Sequence, residues 1–252
     1  MSNKVIFKIL NPAWQKVFNI QYLSTFKQIW AIDSEPFEPI NERRGGTSGV
    51  YRIPFINEQQ QNIHVFLKKQ ENHYTKSWRH PIKGVPTFYR EFLMLQELSA
   101  KDIPVVQWLA FGWQDKRAFL ITNELADYQS FEDFKFKDLN EADQKKLLTS
   151  MAQTLAKLHQ HSIRHGSCYP KHLFIKHQDN AFICKFIDLE KAHRVLSQQK
   201  AIVLDLAQLI KHDTQLNQAD IEYLLEQYCL KLEQKIESQD LLKQIQKRIY
   251  RK

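Results

Sequence analysis

The sequence predicts an α+β protein built in two parts, and three observations carry that prediction. Strand-like segments crowd residues 43–123, helical periodicity dominates after about residue 126, and the two do not alternate as a doubly wound parallel sheet requires. The division is expected near residues 126–130. Residues 1–126 then form an N-terminal extension with a strand-rich lobe, and residues 127–252 a helical lobe.

The elements follow in order. Trp14, Phe18, Tyr22, Phe26 and Trp30 recur at four-residue steps, which predicts one helix with a drifting aromatic stripe. Such a stripe either packs on the domain or meets a partner or a membrane surface. "GGTSGVYRIPFI" and "NIHVFLKK" are rich in apolar and β-branched residues around polar "NEQQQN", which predicts a hairpin or meander. "TFYREFLMLQELSAKDI" places Phe88, Phe92, Leu95 and Leu98 on one helical face. "PVVQWLAFGWQ" and "RAFLITNEL" read as two strands joined around "QDK". After the division, "NEADQKKLLTSMAQTLAKLHQH" opens on Asn140, a candidate N-cap, with acids in its first turn. "HLFIK" and "AFICKFID" read as short strands, and "AIVLDLAQLIKH" and "QADIEYLLEQYCLKLEQKI" as helices.

Composition bounds the function. The 252 residues are 43% hydrophobic and 25% charged, ordinary for a globular protein. No run approaches a membrane span, and the N-terminus lacks the apolar core of a signal peptide. Cys168, Cys184 and Cys229 have no CxxC spacing, so neither a zinc site nor a disulfide framework is expected, and a reducing, cytoplasmic compartment is. The net charge of +8 favours anionic or phosphate-bearing partners. A nucleic-acid partner is not expected, because no recognition helix, RNP-like aromatic pair or zinc finger accompanies the charge.

Phosphoryl transfer needs a glycine-containing turn over the phosphates, a strand lysine, a helix glutamate to orient it, a loop for the acceptor and an aspartate for the metal. Candidates occur in that order. Gly46 and Gly49 keep the G-x-x-G half of a glycine-rich loop, with Arg44 where its first glycine would stand; a plain hairpin turn explains them equally. Lys68 ends "HVFLK", with Lys69 as its rival, and Glu91 lies on the following helix. "LAKLHQHSIRHGSCYPKHLFI" then resembles the end of a kinase-lobe helix running into a catalytic loop opened by His165. "FIDLEKA" resembles a metal-binding segment with Asp188 in the aspartate's place, and "VLDLAQL" a helix whose Asp205 buttresses the loop.

"HGSCYPKHLFI" and "IDLEKA" are similar to the loop pair of the lipopolysaccharide core kinase family, whose members phosphorylate Kdo or heptose, and especially of its InaA-type branch. The resemblance covers roughly residues 40–215. It implies a protein-kinase-like fold, ATP and Mg²⁺ as cofactors, and a lipopolysaccharide inner-core sugar or other lipid-linked sugar as acceptor, met at the cytoplasmic face of the inner membrane. It implies a catalytic role for His165, Ser167 and Asp188, cofactor binding by Gly46, Gly49, Lys68 and Glu91, and metal contact from Asp188 and His172.

Aligned at His165 with the kinase pattern H-R-D-L-x-x-x-N, the chain has Gly166 at Arg, Ser167 at Asp and His172 at Asn. A serine hydroxyl can hydrogen-bond an acceptor hydroxyl but cannot take up its proton near neutral pH, and an imidazole is a poor Mg²⁺ ligand. The alternative is therefore a silent or weakly active pseudokinase that binds nucleotide or acts as a scaffold. His159, His161, His165, His172 and His177 lack zinc spacing and are expected to pack or pin the loop. The basic "KQIQKRIYRK", residues 243–252, is expected either to lie on anionic lipid or to be an ordinary last helix.

Overall fold

The computed structural model describes residues 5–43, 45–77, 80–232 and 236–250. In chain order these form β1 (Ile6–Ile9), α1 (Pro12–Ile20), α2 (Phe26–Trp30), β2 (Asn41–Arg43), β3 (Gly46–Ile56), β4 (Asn62–Glu71), β5 (Tyr74–Ser77), β6 (His80–Pro86), α3 (Thr87–Ser99), β7 (Trp108–Gln114) and β8 (Arg117–Asn123). There follow β9 (Gln129–Ser130), α4 (Glu141–Gln160), β10 (Ile163–Arg164), β11 (Leu173–Gln178), β12 (Ala181–Phe186), β13 (His193–Arg194), α5 (Gln198–His212), α6 (Gln218–Lys231) and α7 (Ser238–Ile249). Two compact units result. One holds the residues up to Gln96 together with Val106–Glu124; the other holds Glu97–Val105 and the residues from Leu125 on. Glu97–Val105 groups with the second unit because Pro104 accepts a hydrogen bond from Phe186 N and Val105 bridges Phe186 in parallel.

The first unit is a sheet of described strands in the order β1-β7-β8-β4-β3-β2, all antiparallel, with β5 and β6 as a separate hairpin. Side chains alternate along β4, so Leu67 and Lys69 face α1 and α2 while Lys68 faces α3. Phe18 and Ile29 are fully buried in the α1–α2 cluster, and the Phe18 ring meets Phe55 edge-on at 5.4 Å. On the other side Phe92 of α3 stacks on Phe111 at 4.4 Å.

The single aromatic helix expected from the four-residue spacing is corrected. Asn11 caps α1, Thr25 caps α2, and Tyr22 between them has φ 56° and is 82% exposed. The end of α1 at Gln21, the left-handed Tyr22 and the Thr25 N-cap together break the helix, and they remove Tyr22 from the stripe while leaving Phe18 and Phe26 to pack. β1, β2 and the β5–β6 hairpin lie outside the strands expected from the sequence. Each is a short edge or hairpin element, where periodicity carries little signal.

The second unit centres on α4. Asn140 accepts from Asp143 N as its N-cap, with Glu141 and Asp143 in the first turn. Leu147, Met151, Leu155 and Leu158 are buried along α4, as are Leu224, Leu225 and Tyr228 along α6. A sheet in the order β12-β11-β9 and the short β10–β13 pair frame the loop segments. The apolar face of α7, Leu241 and Ile245, is buried within the unit, so that face is not available to lipid. Arg44, Arg251 and Lys252, all part of the sequence readings, lie outside the described residues. No helix among the described residues is long and apolar enough to cross a membrane.

Candidate active site

In the first unit the strand lysine and the helix glutamate meet. Lys68 Nζ donates to Glu91 Oε1 at 2.6 Å, with Glu91 1% exposed and Lys68 17% exposed. The Phe88 ring lies 6.0 Å from the ammonium and lines the same side. The rival lysine is spent on structure. Lys69 Nζ donates to the carbonyls of Trp30 and Ile32 and lies over the Trp30 and Tyr51 rings, and burial lowers its pKa. Gln70 was not singled out in the sequence, yet it sets where α3 begins. Its side chain is 2% exposed, accepts from Phe88 N at 2.8 Å and donates to the carbonyl of His73. No local pattern in the sequence marks it, because its partner Phe88 is 18 residues away.

Gly46 and Gly49 lie within β3 and not in the turn before it, which corrects the picture of a turn formed by both. Gly46 pairs with Arg43, and a Cβ there would stand 2.4 Å from the Asn72 carbonyl oxygen, so close backbone packing alone requires glycine. At Gly49 a Cβ would meet the Tyr51 hydroxyl at 2.9 Å.

In the second unit one carboxylate organises the loop. Asp205 of α5 is fully buried and accepts from His165 N at 2.6 Å and Gly166 N at 3.1 Å. Three residues on, Gln208 accepts from Cys168 N at 3.0 Å, so two side chains on one face of α5 hold three amides of the loop, those of His165, Gly166 and Cys168. His159 Nε2 lies 3.3 Å from Asp205 Oδ2, and its Nδ1 lies 2.8 Å from the Tyr228 hydroxyl. A carboxylate only accepts, so Nε2 carries the proton, and in the neutral ring Nδ1 accepts from Tyr228. Burial raises the Asp205 carboxyl, but the His159 hydrogen bond, the nearby His159 and His165 rings and the His165 amide outweigh it, and the net shift is downward. Asp205 thus stands where the sequence placed it. Tyr228 was missed because its partner is 69 residues away in the chain.

The loop faces inward. His165 is fully buried, and burial lowers its pKa to about 4, so it is neutral at physiological pH and cannot serve as a charged group there. Ser167 is 1% exposed; its amide donates to His165 Nδ1 at 3.3 Å, and its carbonyl accepts from His172 Nδ1 at 2.8 Å. Burial holds the Cys168 thiol far above its usual pKa, which removes it as a nucleophile. Gly166 has φ 76°, and a Cβ on it would lie 2.8 Å from the Lys191 carbonyl oxygen.

Asp188 follows β12 with φ 56°, a left-handed conformation rare for a residue other than glycine and one that clusters at functional sites. Ile187 N donates to the His172 carbonyl at 3.1 Å, which ties this segment to the loop. Asp188 is 30% exposed, and its Oδ2 lies 3.4 Å from His172 Nε2. His172 Nδ1 must donate to the Ser167 carbonyl, so the neutral ring turns a lone pair at Nε2 toward a carboxylate oxygen. Two acceptors in that relation are reconciled by a proton or a cation. Among the described residues no group of three or more His, Cys, Asp or Glu could hold a metal. A nucleotide-borne Mg²⁺ needs only one or two carboxylates, its other ligands being phosphate and water. Asp188 fits that role. The His172 imidazole fits it poorly and suits orienting Asp188 instead.

Three comparisons bear on this arrangement. The lipopolysaccharide kinase (Kdo/WaaP) family matches residues 27–228. Protein InaA of Escherichia coli (strain K12) is 30% identical over 212 residues, covering 81% of this chain and 94% of that protein. Among solved structures, WaaP in complex with acyl carrier protein superposes with a TM-score of 0.68 at 16% identity, covering 98% of each chain. An aminoglycoside-3'-phosphotransferase of type VIII superposes with a TM-score of 0.54 at 12% identity, covering 93% of this chain and 98% of that one. The fold is therefore the α+β kinase-like fold, and the chain belongs to the lipopolysaccharide kinase (Kdo/WaaP) family.

Proposed function

We propose that the protein is an ATP-dependent phosphotransferase acting on a sugar hydroxyl of the lipopolysaccharide inner core, working at the cytoplasmic face of the inner membrane. The observation that carries the reading is the Lys68–Glu91 ion pair at 2.6 Å, formed by two residues that the kinase order alone had paired. Lys68 contacts the α- and β-phosphates of ATP, and buried Glu91 holds its ammonium in one position. Gly46 and Gly49 let the β3 backbone come close to the nucleotide. Asp188 holds Mg²⁺, which when bound neutralises charge on the phosphate oxygens. His172, anchored on the Ser167 carbonyl, orients the Asp188 carboxylate when its Nε2 carries a proton to donate.

No residue at position 167 can take the acceptor's proton. Phosphoryl transfer rests mainly on positioning and charge, so the missing base slows the reaction without abolishing it, by a factor of ~10²–10⁴. The acceptor is a lipid-linked sugar, in keeping with the family. The experiment is transfer of labelled phosphate from ATP to a Kdo-containing core oligosaccharide, alongside thermal melts with ATP and Mg²⁺. Turnover is expected in the wild type and its loss in Lys68→Met; ATP with Mg²⁺ is expected to raise the melting temperature, and not in Asp188→Ala. Equal melts with and without nucleotide would sink the reading.

One observation favours a second reading. Ser167 stands in the acid's place and is buried, which supports a pseudokinase that binds nucleotide without transferring phosphate. Nucleotide stabilisation without turnover on any core acceptor selects it.

A further inference from the structure

Outside the kinase constellation, the second unit contains a cavity of about 810 Å³ lined by β10, the start of α5 and the end of α7. Among the described residues four cations line it, Arg164, Lys200, Lys247 and Arg248, and none of the lining residues is acidic. Lys200, Lys247 and Arg248 are exposed, and no ion pair is formed by any of the three among the described residues. Arg164 Nε makes no hydrogen bond and lies 3.4 Å from Asp205 Oδ1. The walls are tied together, since Gln199 Nε2 of α5 donates to Gln244 Oε1 of α7 at 3.1 Å. Ser197, the N-cap of the 15-residue α5, opens into the same space, so the positive end of that helix adds to the cations.

We propose that this cavity binds a phosphate-bearing ligand, as a free phosphate compound or as the headgroup of an anionic lipid. Like charges gathered around one concave space repel unless an anion joins them, and a phosphate dianion accepts hydrogen bonds from several directions at once. Two guanidinium groups supply paired donors and two ammonium groups supply point charges. The space exceeds a single phosphate, so the ligand carries further polar groups. Leu241 and Ile245 of α7 are buried in the fold and are not there to enter a bilayer, while Val203 and Leu204 give the cavity an apolar wall beside its cations. The ligand shares Arg164 with Asp205, the carboxylate that holds the His165 and Gly166 amides, so the site touches the loop from behind.

The inference does not depend on phosphoryl transfer, and its test avoids it. The full chain is titrated calorimetrically with pyrophosphate, and separately floated with vesicles of phosphatidylcholine alone or of equimolar phosphatidylcholine and phosphatidic acid. The variants are Lys200→Gln/Lys247→Gln/Arg248→Gln, all three on exposed positions, and Lys68→Met to remove phosphate binding in the first unit. Lys68→Met is expected to keep the cavity's binding, and the triple variant made in that background is expected to bind roughly a hundredfold more weakly, with its melting temperature in phosphate-free buffer unchanged. Binding of pyrophosphate identifies a free phosphate compound as sufficient. Flotation only with phosphatidic acid, without pyrophosphate binding, identifies the lipid headgroup. The proposal is overturned if neither probe binds, if the triple variant binds as its Lys68→Met parent does, or if Lys68→Met alone abolishes binding.

Discussion

Gly166 meets two demands that no other residue type meets together. Its φ of 76° is disfavoured for any side chain, and a Cβ would press on the Lys191 carbonyl oxygen at 2.8 Å. The loop that resembles a kinase's therefore cannot carry that pattern's arginine here without moving the segment after Asp188. Gly166→Ala is expected to cost about 2–4 kcal/mol in urea unfolding, the sum of left-handed strain and a clash with backbone. A loss within ~0.5 kcal/mol would mean that the contact with Lys191 relaxes freely. Lys68 and Lys69 teach a second lesson at this scale. They are neighbours of one type in the chain, yet strand alternation sends one to Glu91 and the other to the carbonyls of Trp30 and Ile32.

At the scale of elements, α5 does more for the loop than the loop does for itself. Asp205 and Gln208 hold the amides of His165, Gly166 and Cys168, and α4 and α6 reinforce Asp205 through His159 and Tyr228. Asp205→Asn keeps the shape but loses the charge, and its side chain must turn one donor toward groups that only donate. It is expected to lower stability by about 3 kcal/mol, whereas Tyr228→Phe removes one neutral hydrogen bond and costs about 1 kcal/mol. Chemical unfolding of the two variants separates these values; equal losses would show that α5 does not carry the loop. Likewise α3 owes its starting point to Gln70 on β4, which accepts from Phe88 N, so the glutamate that meets Lys68 is placed by a residue two positions along the same strand.

For the whole molecule, acid stability follows from the buried His165. Its folded pKa is lowered by burial to about 4 from the ordinary 6.5, so between those values the unfolded chain takes up a proton that the folded chain refuses. The contribution is intact above pH 6.5 and is lost as pH falls, completely so below about 4. At pH 5 the loss is expected to be on the order of 2 kcal/mol relative to pH 7. Urea unfolding at both pH values checks it, with His165→Asn as the control whose dependence over that window is flatter. A variant as steep as wild type would assign the loss to other groups. The Asp205 carboxyl, lowered in the fold, contributes stability that is present above the ordinary carboxylate pKa and lost as pH falls through the carboxylate range.

The sequence by itself determined the α+β class, the position of the central helices and the order of strand lysine, helix glutamate, loop and Asp188, and its resemblance to a kinase loop pointed to Asp205 as the buttress. These are carried by periodicity and by short stretches of contiguous residues, which survive in one dimension. It misread the aromatic stripe, because a four-residue spacing persists across a helix break that a left-handed Tyr22 and the Thr25 cap impose. Only the tertiary structure decided which lysine meets the glutamate, that Gly46 answers to the Asn72 backbone, that Ser167 and His165 are buried, and that Tyr228 and Gln70 support the site. It also decided that the apolar face of α7 is consumed by packing while its cations gather with those of α5 and β10 around one cavity. The reason is common to all of these. Burial and hydrogen-bond partnership join residues that are distant in the chain, and no local pattern records which partner a buried polar group will find.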